Sequence, residues 1–315
     1  MVKRLQAKIL FYFFIIALVP IIIIASLAVI QSKKAVENGV TQDFKQIAEG
    51  LYANINRDVL KGFEDIELLA TNPIIAVENI EAGEKREELF KLKQIFRVYE
   101  DITLIDVEGK VITSTDYNFR GAWRYKEGFQ EALSGSSVIS NVHIIPNPFK
   151  VIISFTAPVV DKDFNIIAVV SAQLNMENIW EITDSVKIGE TGFSFVLDEN
   201  YRIIAHPDKD RILSNVGEDV VMLISDKADF MKYTDNGDNI IGNYFLKDKH
   251  KDYRKLSAPS VGWTVMVVQN EKEIFSTVNE LKNQIILFSA LLLVIVILLS
   301  LSLSHSILKL IKGGK

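Results

Sequence analysis

Phe195-Val196-Leu197-Asp198-Glu199-Asn200-Tyr201-Arg202-Ile203-Ile204-Ala205 reads as strand, tight turn and strand. An acidic residue followed by Asn suits the positive φ that such a hairpin needs. The pattern occurs 92 residues earlier too, as Thr103-Leu104-Ile105-Asp106, a Glu108-Gly109 turn and Val111-Ile112-Thr113. The closing halves also correspond. Ala157-Pro158, a strand from Ile166 to Leu174 and an apolar-spaced helix at Met176, Ile179 and Trp180 complete the first unit. Ala258-Pro259, Gly262-Trp263, a strand from Thr264 to Gln269 and Ile274, Phe275 and Val278 complete the second, 101 residues on. A loop insertion explains the nine-residue difference in offset. The predicted fold class is α/β (α+β), with two tandem mixed modules.

Upstream of the first module, Val36, Val40, Phe44, Ile47, Leu51, Ile55, Val59, Ile66 and Leu69 recur in steps of mostly three and four. That period predicts an amphipathic helix, with Asn72-Pro73 as its stop. About forty residues rising 1.5 Å each make a stalk of roughly 60 Å. Its stripe has to serve the modules, a second copy of the chain, or both, and a homodimer is expected.

Two runs without charge bracket all of this. Ile9 to Ile30 is 22 residues and Ile285 to Leu303 is 19. A hydrocarbon core of roughly 30 Å takes about 20 helical residues, so both read as membrane spans. Ser26 and Ala28 leave a cleaved signal peptide as the alternative for the first, although the run exceeds the usual apolar region of such peptides. Lys3, Arg4 and Lys8 precede the first span, and Lys309, Lys312 and Lys315 follow the second. The segment between them holds all 40 Asp and Glu against 29 Lys and Arg, a net charge of −11. Positive tails inside and an acidic domain outside follow, despite Lys33 and Lys34 just past the first span. The organisation is a tail (1–8), a span (9–30), a stalk (31–72), a distal module (73–184), a proximal module (185–284), a span (285–303) and a tail (304–315).

The composition excludes several classes. An acidic exterior argues against a nucleic-acid partner, which selects basic patches. The absence of Cys rules out disulfides, a thiolate nucleophile and Cys-ligated metal. No G-x-S-x-G elbow, H-E-x-x-H helix or phosphate-binding Gly loop occurs, so no enzyme and no cofactor are predicted. His206 with Asp208 and Asp210 lacks helical ligand spacing, and Asp235, Gly237 and Asp238 fall short of a calcium loop. No metal site is predicted, and His206 beside Pro207 reads as hairpin punctuation.

Three segments carry a family resemblance: Gly128-Phe129-Gln130-Glu131-Ala132-Leu133-Ser134-Gly135, Phe155-Thr156-Ala157-Pro158-Val159-Val160-Asp161, and Gly189 to Asp198 followed by Ala205-His206-Pro207-Asp208. In this order, between two spans, they resemble the double Cache ectodomain of bacterial transmembrane receptors. The resemblance implies two PAS-like modules, the distal one holding a small extracellular ligand. It also implies a chemoreceptor, histidine kinase or cyclic-dinucleotide output. Ser306-Ile307-Leu308-Lys309-Leu310-Ile311 is similar to the start of a HAMP linker, with Leu310 where a Pro usually stands. Twelve residues past the second span hold no output domain, so a longer parent protein or a separate cytoplasmic signalling partner is expected. A membrane-anchored binding protein with no signal is the remaining possibility.

The richest recognition stretch holds Tyr117, Arg120, Trp123, Arg124, Tyr125, Lys126 and Phe129. Aromatic rings offer a stacking wall, and a guanidinium grips a carboxylate with two hydrogen bonds. The resemblance places this stretch against the distal pocket, with an approximate match to the Arg-x-Trp-Tyr of amino-acid-binding members. Those members carry an Asp on the opposite strand, where this chain has Gln173. A neutral amide cannot neutralise an ammonium group. An organic acid or other anion is therefore favoured over an amino acid. His143 is a further candidate contact. The expected function is solute sensing in the distal module, with a shift of the second span as the signal. The alternative is a ligandless ectodomain used for protein interaction.

Overall fold

The computed structural model describes residues 2–116, 128–146, 149–228, 230–246 and 261–313. Two compact units divide the chain: residues 44–233 with 241–269, and residues 1–43 with 234–240 and 270–315. The first helix, α1, runs over Val2–Ala70. Phe44, Ala48, Leu51, Ile55, Val59, Ile66 and Leu69 are buried along it, at the spacing that puts side chains on one face. It stops where the sequence places the stop. Asn72 turns the chain by accepting the Ile74 amide on Oδ1 at 2.9 Å, and Pro73 cannot continue a helix.

Helix α2 (Ala82–Phe96) then leads into the distal sheet. The sheet's strands are β1 (Tyr99–Asp106), β2 (Val111–Ser114), β3 (Val138–Ile139), β4 (His143–Pro146), β5 (Phe149–Val160) and β6 (Ile166–Asn175). The short helix α3 (Phe129–Leu133) falls between β2 and β3. The strand order is β2-β1-β6-β5-β3, with β4 also on β5, and these pairings are antiparallel. Because side chains alternate along a strand, each face collects every second residue. Ile102, Leu104, Phe155, Ala157, Val170 and Ala172 make one face apolar and fully buried. That face meets α1: Gly62 lies against the Phe155 ring, and Tyr99 Oη donates to Asp65 Oδ2 at 2.9 Å.

Helix α4 (Glu177–Asp184) leads to the proximal sheet of β7 (Lys187–Ile188), β8 (Gly192–Leu197), β9 (Ile203–Ala205), β10 (Met231–Asp235), β11 (Asp238–Leu246) and β12 (Thr264–Asn270). Its order is β10-β11-β12-β8-β7, with β9 on β8, and helix α5 (Glu218–Ser225) lies between β9 and β10 in sequence. The two hairpins matched in the sequence form as β1–β2 and β8–β9, and both turn on their Asp. Asp106 Oδ1 accepts the Lys110 amide at 2.7 Å, while Asp198 Oδ1 accepts the Asn200 and Arg202 amides at 2.8 and 2.9 Å. His206 is buried between the Phe193 and Phe195 rings and accepts the Asp208 amide on Nδ1.

Helix α4 is tied to the proximal module by three polar contacts. Trp180 Nε1 donates to the Ile204 carbonyl at 2.8 Å, Ser194 Oγ donates to the Thr183 carbonyl at 2.9 Å, and Lys209 pairs with Asp184 at 2.7 Å. Apart from α4, Arg202 also reaches from Nη2 to the carbonyl of Val142 in the distal module.

In the other unit, α6 (Glu271–Ile274) precedes α7 (Ser276–Gly313). The sequence suggests one uninterrupted helix here, since neither Pro nor Gly intervenes. The structure instead breaks it at Phe275, whose φ of −94° and ψ of 8° leave helical geometry. The Phe275 ring is drawn in to 7 % exposure, under the Lys33 ammonium at 5.3 Å. The β10–β11 turn pairs with α6 through Asp238 with Lys272 and Asn239 with Glu271. Helices α1 and α7 each contain a stretch long and apolar enough to cross a membrane, with mean hydropathy of 1.7 and 2.3. Ile24, Leu287 and Phe288 are each more than 60 % exposed there, as lipid-facing residues are.

Candidate functional site

The second face of the distal sheet is polar. Thr103, Ser171 and Thr156 occupy one row across β1, β6 and β5, and Asp101, Gln173 and Ser154 occupy the next. A third row, Ile105, Val169 and Pro158, closes the face at one end. Phe129 and Ala132 of α3 pack on Ile105 and Val169, which identifies this face as the one beneath α3. Gly128 turns the chain into α3. Its φ of +86° suits glycine, and a β-carbon there would meet Thr156 Oγ1 at 3.4 Å.

All six residues of the polar rows are at most 5 % exposed. Buried polar groups are stable only when hydrogen-bonded, and this face supplies many of its own partners. Thr156 and Ser171 share a hydroxyl–hydroxyl bond at 3.3 Å. Ser140 Oγ accepts the Ser154 amide at 2.9 Å. Asp101 has the densest set: Oδ1 accepts from Ser114 Oγ at 2.8 Å, Thr115 Oγ1 at 2.7 Å and the Asp116 amide at 2.8 Å. Thr103 Oγ1 donates to its Oδ2.

Of the residues singled out from sequence, Tyr117, Arg120, Trp123, Arg124, Tyr125 and Lys126 lie outside the described residues. Gln173 lies at the centre of the polar face, 2 % exposed. Phe129 is buried in the apolar cluster at its end. His143 pairs with Ile152 at the edge of the sheet, half-buried, with Nδ1 2.9 Å from the Asn141 carbonyl. Asp101, Thr103, Ser154 and Ser171 escaped the sequence reading. A signal for them exists, since Asp101-Ile102-Thr103-Leu104, Ser154-Phe155-Thr156-Ala157 and Ser171-Ala172-Gln173-Leu174 each alternate polar with apolar.

Hydroxyls, an amide and a carboxylate on a rigid sheet can recognise a small polar solute. Among the described residues no group of three or more His, Asp or Glu is placed to hold a metal ion.

The Cache domain profile matches residues 32–278. The chain belongs to the Cache domain family. It is 22 % identical over 274 residues to the methyl-accepting chemotaxis protein McpA of Bacillus subtilis, covering 84 % of this chain and 39 % of McpA. The chain thus spans about two fifths of the length of the curated relatives it matches. The ligand-binding domain of the Pseudomonas fluorescens chemoreceptor CtaA, solved with L-isoleucine, superposes with a TM-score of 0.61 at 20 % identity. That match covers 78 % of this chain and 98 % of CtaA's domain. The ligand-binding domain of the Pseudomonas aeruginosa PAO1 chemoreceptor PctC with GABA gives 0.56 at 16 %, over 71 % and 96 %. This Cache chain shares the fold of chemoreceptor ligand-binding domains, flanked by two candidate membrane helices.

Proposed function

We propose that this chain is the sensory part of a membrane receptor, and that the polar face of its distal sheet binds a small extracellular solute bearing a carboxylate. One observation carries the reading: a sheet with one wholly apolar face presents two buried rows of polar side chains beneath α3. Folding alone has no use for so many desolvated hydroxyls, since each hydrogen bond they make is worth only about 1 kcal/mol net. The carboxylate end of the solute is assigned to Arg120, Arg124 and Lys126, as the sequence suggests. Asp101 removes the ground on which amino acids were set below organic acids, so the reading admits both. The solved neighbours bind L-isoleucine and GABA.

Ligand would favour one of two arrangements in proportion to its differential affinity for them. The signal passes through the proximal sheet to α6 and α7 and on to a cytoplasmic output for chemotaxis or related signalling, in the same protein or a separate partner. Both termini are cytoplasmic and the receptor works as a homodimer.

The test is a thermal-shift screen of the full chain in lipid nanodiscs against organic acids, amino acids, amines and sugars, because bound ligand raises apparent stability. A saturable shift that Gln173→Ala weakens at least tenfold supports the assignment. An unchanged affinity in Gln173→Ala and Ser154→Val would remove the polar face as the site.

A further inference from the structure

We propose that the cavity walled by the stalk helix α1, the end of β6 and helix α4 is a second ligand site, built for a small organic ammonium ion with an apolar body. It is separate from the polar face. Side chains alternate along β6, so Gln173 and Leu174 lie on opposite faces of the distal sheet. The cavity borders Leu174 and its register partner Tyr99, on the face that packs against α1. Its volume of about 340 Å³ is enough for a small molecule, since such sites begin at roughly 300 Å³.

Two helices each give it one side. Asp58, Lys61 and Asp65 stand a helical turn apart along α1, and Asn178, Glu181 and Ile182 share a face of α4. Leu174 and Ile179, both buried, form apolar wall that Val98 and Ile182 extend. An apolar body suits that wall. The charge of the lining is one-sided, with the carboxylates of Asp58, Asp65 and Glu181 against the single ammonium of Lys61. Asp58 and Glu181 are exposed, where they raise the local concentration of cations.

Asp65 is the group that binds. It is 9 % exposed. A carboxylate has about four acceptor positions, and the described residues fill one of them, through Tyr99 Oη to Oδ2. Lys61, one turn before it, makes no ion pair with it; the ion pairs among the described residues involve other carboxylates. Burial pushes the Asp65 carboxyl above its ordinary value, against the pull of the Tyr99 hydrogen bond and the Lys61 charge. That is the behaviour of a carboxylate short of cationic partners. Asn178 is half-buried in the same lining, and its side chain has no hydrogen-bond partner among the described residues.

A ligand ammonium would donate to Asp65 Oδ1 and supply the missing counter-charge, with Asn178 Oδ1 as a second acceptor. A metal ion fits less well, because no group of three or more ligands converges here among the described residues. A site built around a charged donor rejects the analogue without it, which leaves Asp65 buried and unpaired.

The competing role for Asp65 is a latch to Tyr99 that holds the stalk on the sheet and meets no ligand. Ligand-observed NMR titration of the full chain in lipid nanodiscs, with empty discs subtracted, separates the two roles. The probes are cyclohexylamine and cyclohexanol, of which only the amine, like a Lys side chain, is charged at neutral pH. The chain should bind cyclohexylamine saturably and at least tenfold more tightly than cyclohexanol. Asp65→Asn should erase that preference by weakening the amine alone, which loss of a latch would not do. If Asp65→Asn fails to fold, Asn178→Trp decides: it fills the cavity from α4 with Asp65 intact, and should abolish binding of both probes. No saturable binding of the amine, equal binding of the two probes, or a preference that survives Asp65→Asn or Asn178→Trp overturns the proposal. An amine affinity weakened by Gln173→Ala overturns it too, by placing the probe on the polar face. Failure of the polar face as a solute site reads differently, in the organic-acid and amino-acid screen, and leaves this titration unmoved.

Discussion

Gly62 of α1 lies so close to the Phe155 ring that a β-carbon on it would stand 2.5 Å from Cζ and 2.7 Å from Cε2. Phe155 is fully buried in the apolar face of the distal sheet, so the ring has no solvent to retreat into. This contact sets how closely the stalk approaches the sheet. Gly62→Ala gains about 1 kcal/mol of helix propensity but meets an overpacking cost of about 1–3 kcal/mol. A net loss, with a lower midpoint in urea unfolding, is expected. Gly50→Ala is the control: its site is exposed with no atom within 4 Å, so stability should rise by about 0.5–1 kcal/mol and the midpoint with it.

Asp65 and Tyr99 form a buried pair at the same stalk–sheet contact. Burial pushes the Asp65 carboxyl above its ordinary value, opposed by the Tyr99 hydrogen bond and the Lys61 charge. Burial also raises the Tyr99 hydroxyl, and Asp65 raises it further. An acid whose folded pKa is raised adds stability as pH falls through that value, and the gain is complete below its unfolded value of about 4. Asp65→Asn removes this dependence. The melting temperature of the wild type relative to Asp65→Asn should therefore climb as pH drops from 7 toward about 4. A flat difference across that range would show that Asp65 titrates normally. Tyr99→Phe, which strips the carboxylate of its donor, should cost about 1–3 kcal/mol at neutral pH.

The β5–β6 turn holds Phe164 at φ +65° and 86 % exposure. Bulky residues rarely occupy that conformation, and this one gains nothing from packing. Asp161 maintains it by accepting the Asp163 and Asn165 amides, each at 2.8 Å. The Asn165 amide and side chain lower the Asp161 carboxyl below its ordinary range. Phe164→Gly should leave stability unchanged or raise it by up to about 1 kcal/mol. Asp161→Ala should lower the melting temperature. Thermal unfolding of the two variants side by side checks both signs.

Asp198 is 2 % exposed on its side chain and is gripped by Arg202 through Nε and Nη2, both at 2.7 Å. Arg202→Ala leaves that carboxylate with only its two backbone donors, at a cost of about 1–3 kcal/mol. Arg202→Lys should recover less than half of the loss, because an ammonium cannot reproduce the two-pronged contact. Urea midpoints of the two variants measure the difference.

Local chemistry was legible from the residues alone. The period of α1, its stop at Asn72-Pro73 and the paired hairpins at Asp106 and Asp198 each depend on residues within a few positions of one another. The apolar runs that became α1 and α7 needed only composition. The candidate site was half legible. Gln173 was found through a resemblance, whereas Asp101 was passed over because the only local mark it carries, the polar–apolar alternation of Asp101 to Leu104, does not say that its face is buried. The break at Phe275 was hidden for a related reason, since no helix-breaking residue announces it.

The sequence by itself determined the elements, their tandem repetition and the segregation of charge between two apolar helices. Only the tertiary structure decided which strands became neighbours. The β1–β6 pairing joins residues 72 positions apart and sets Asp101 beside Gln173. That register follows from burial of the alternating Ile102, Leu104, Val170 and Ala172 against α1. A one-residue slip would turn the polar rows into the apolar core and expose the apolar residues in their place. The energy that fixes the binding face is therefore spent on the opposite face of the same sheet.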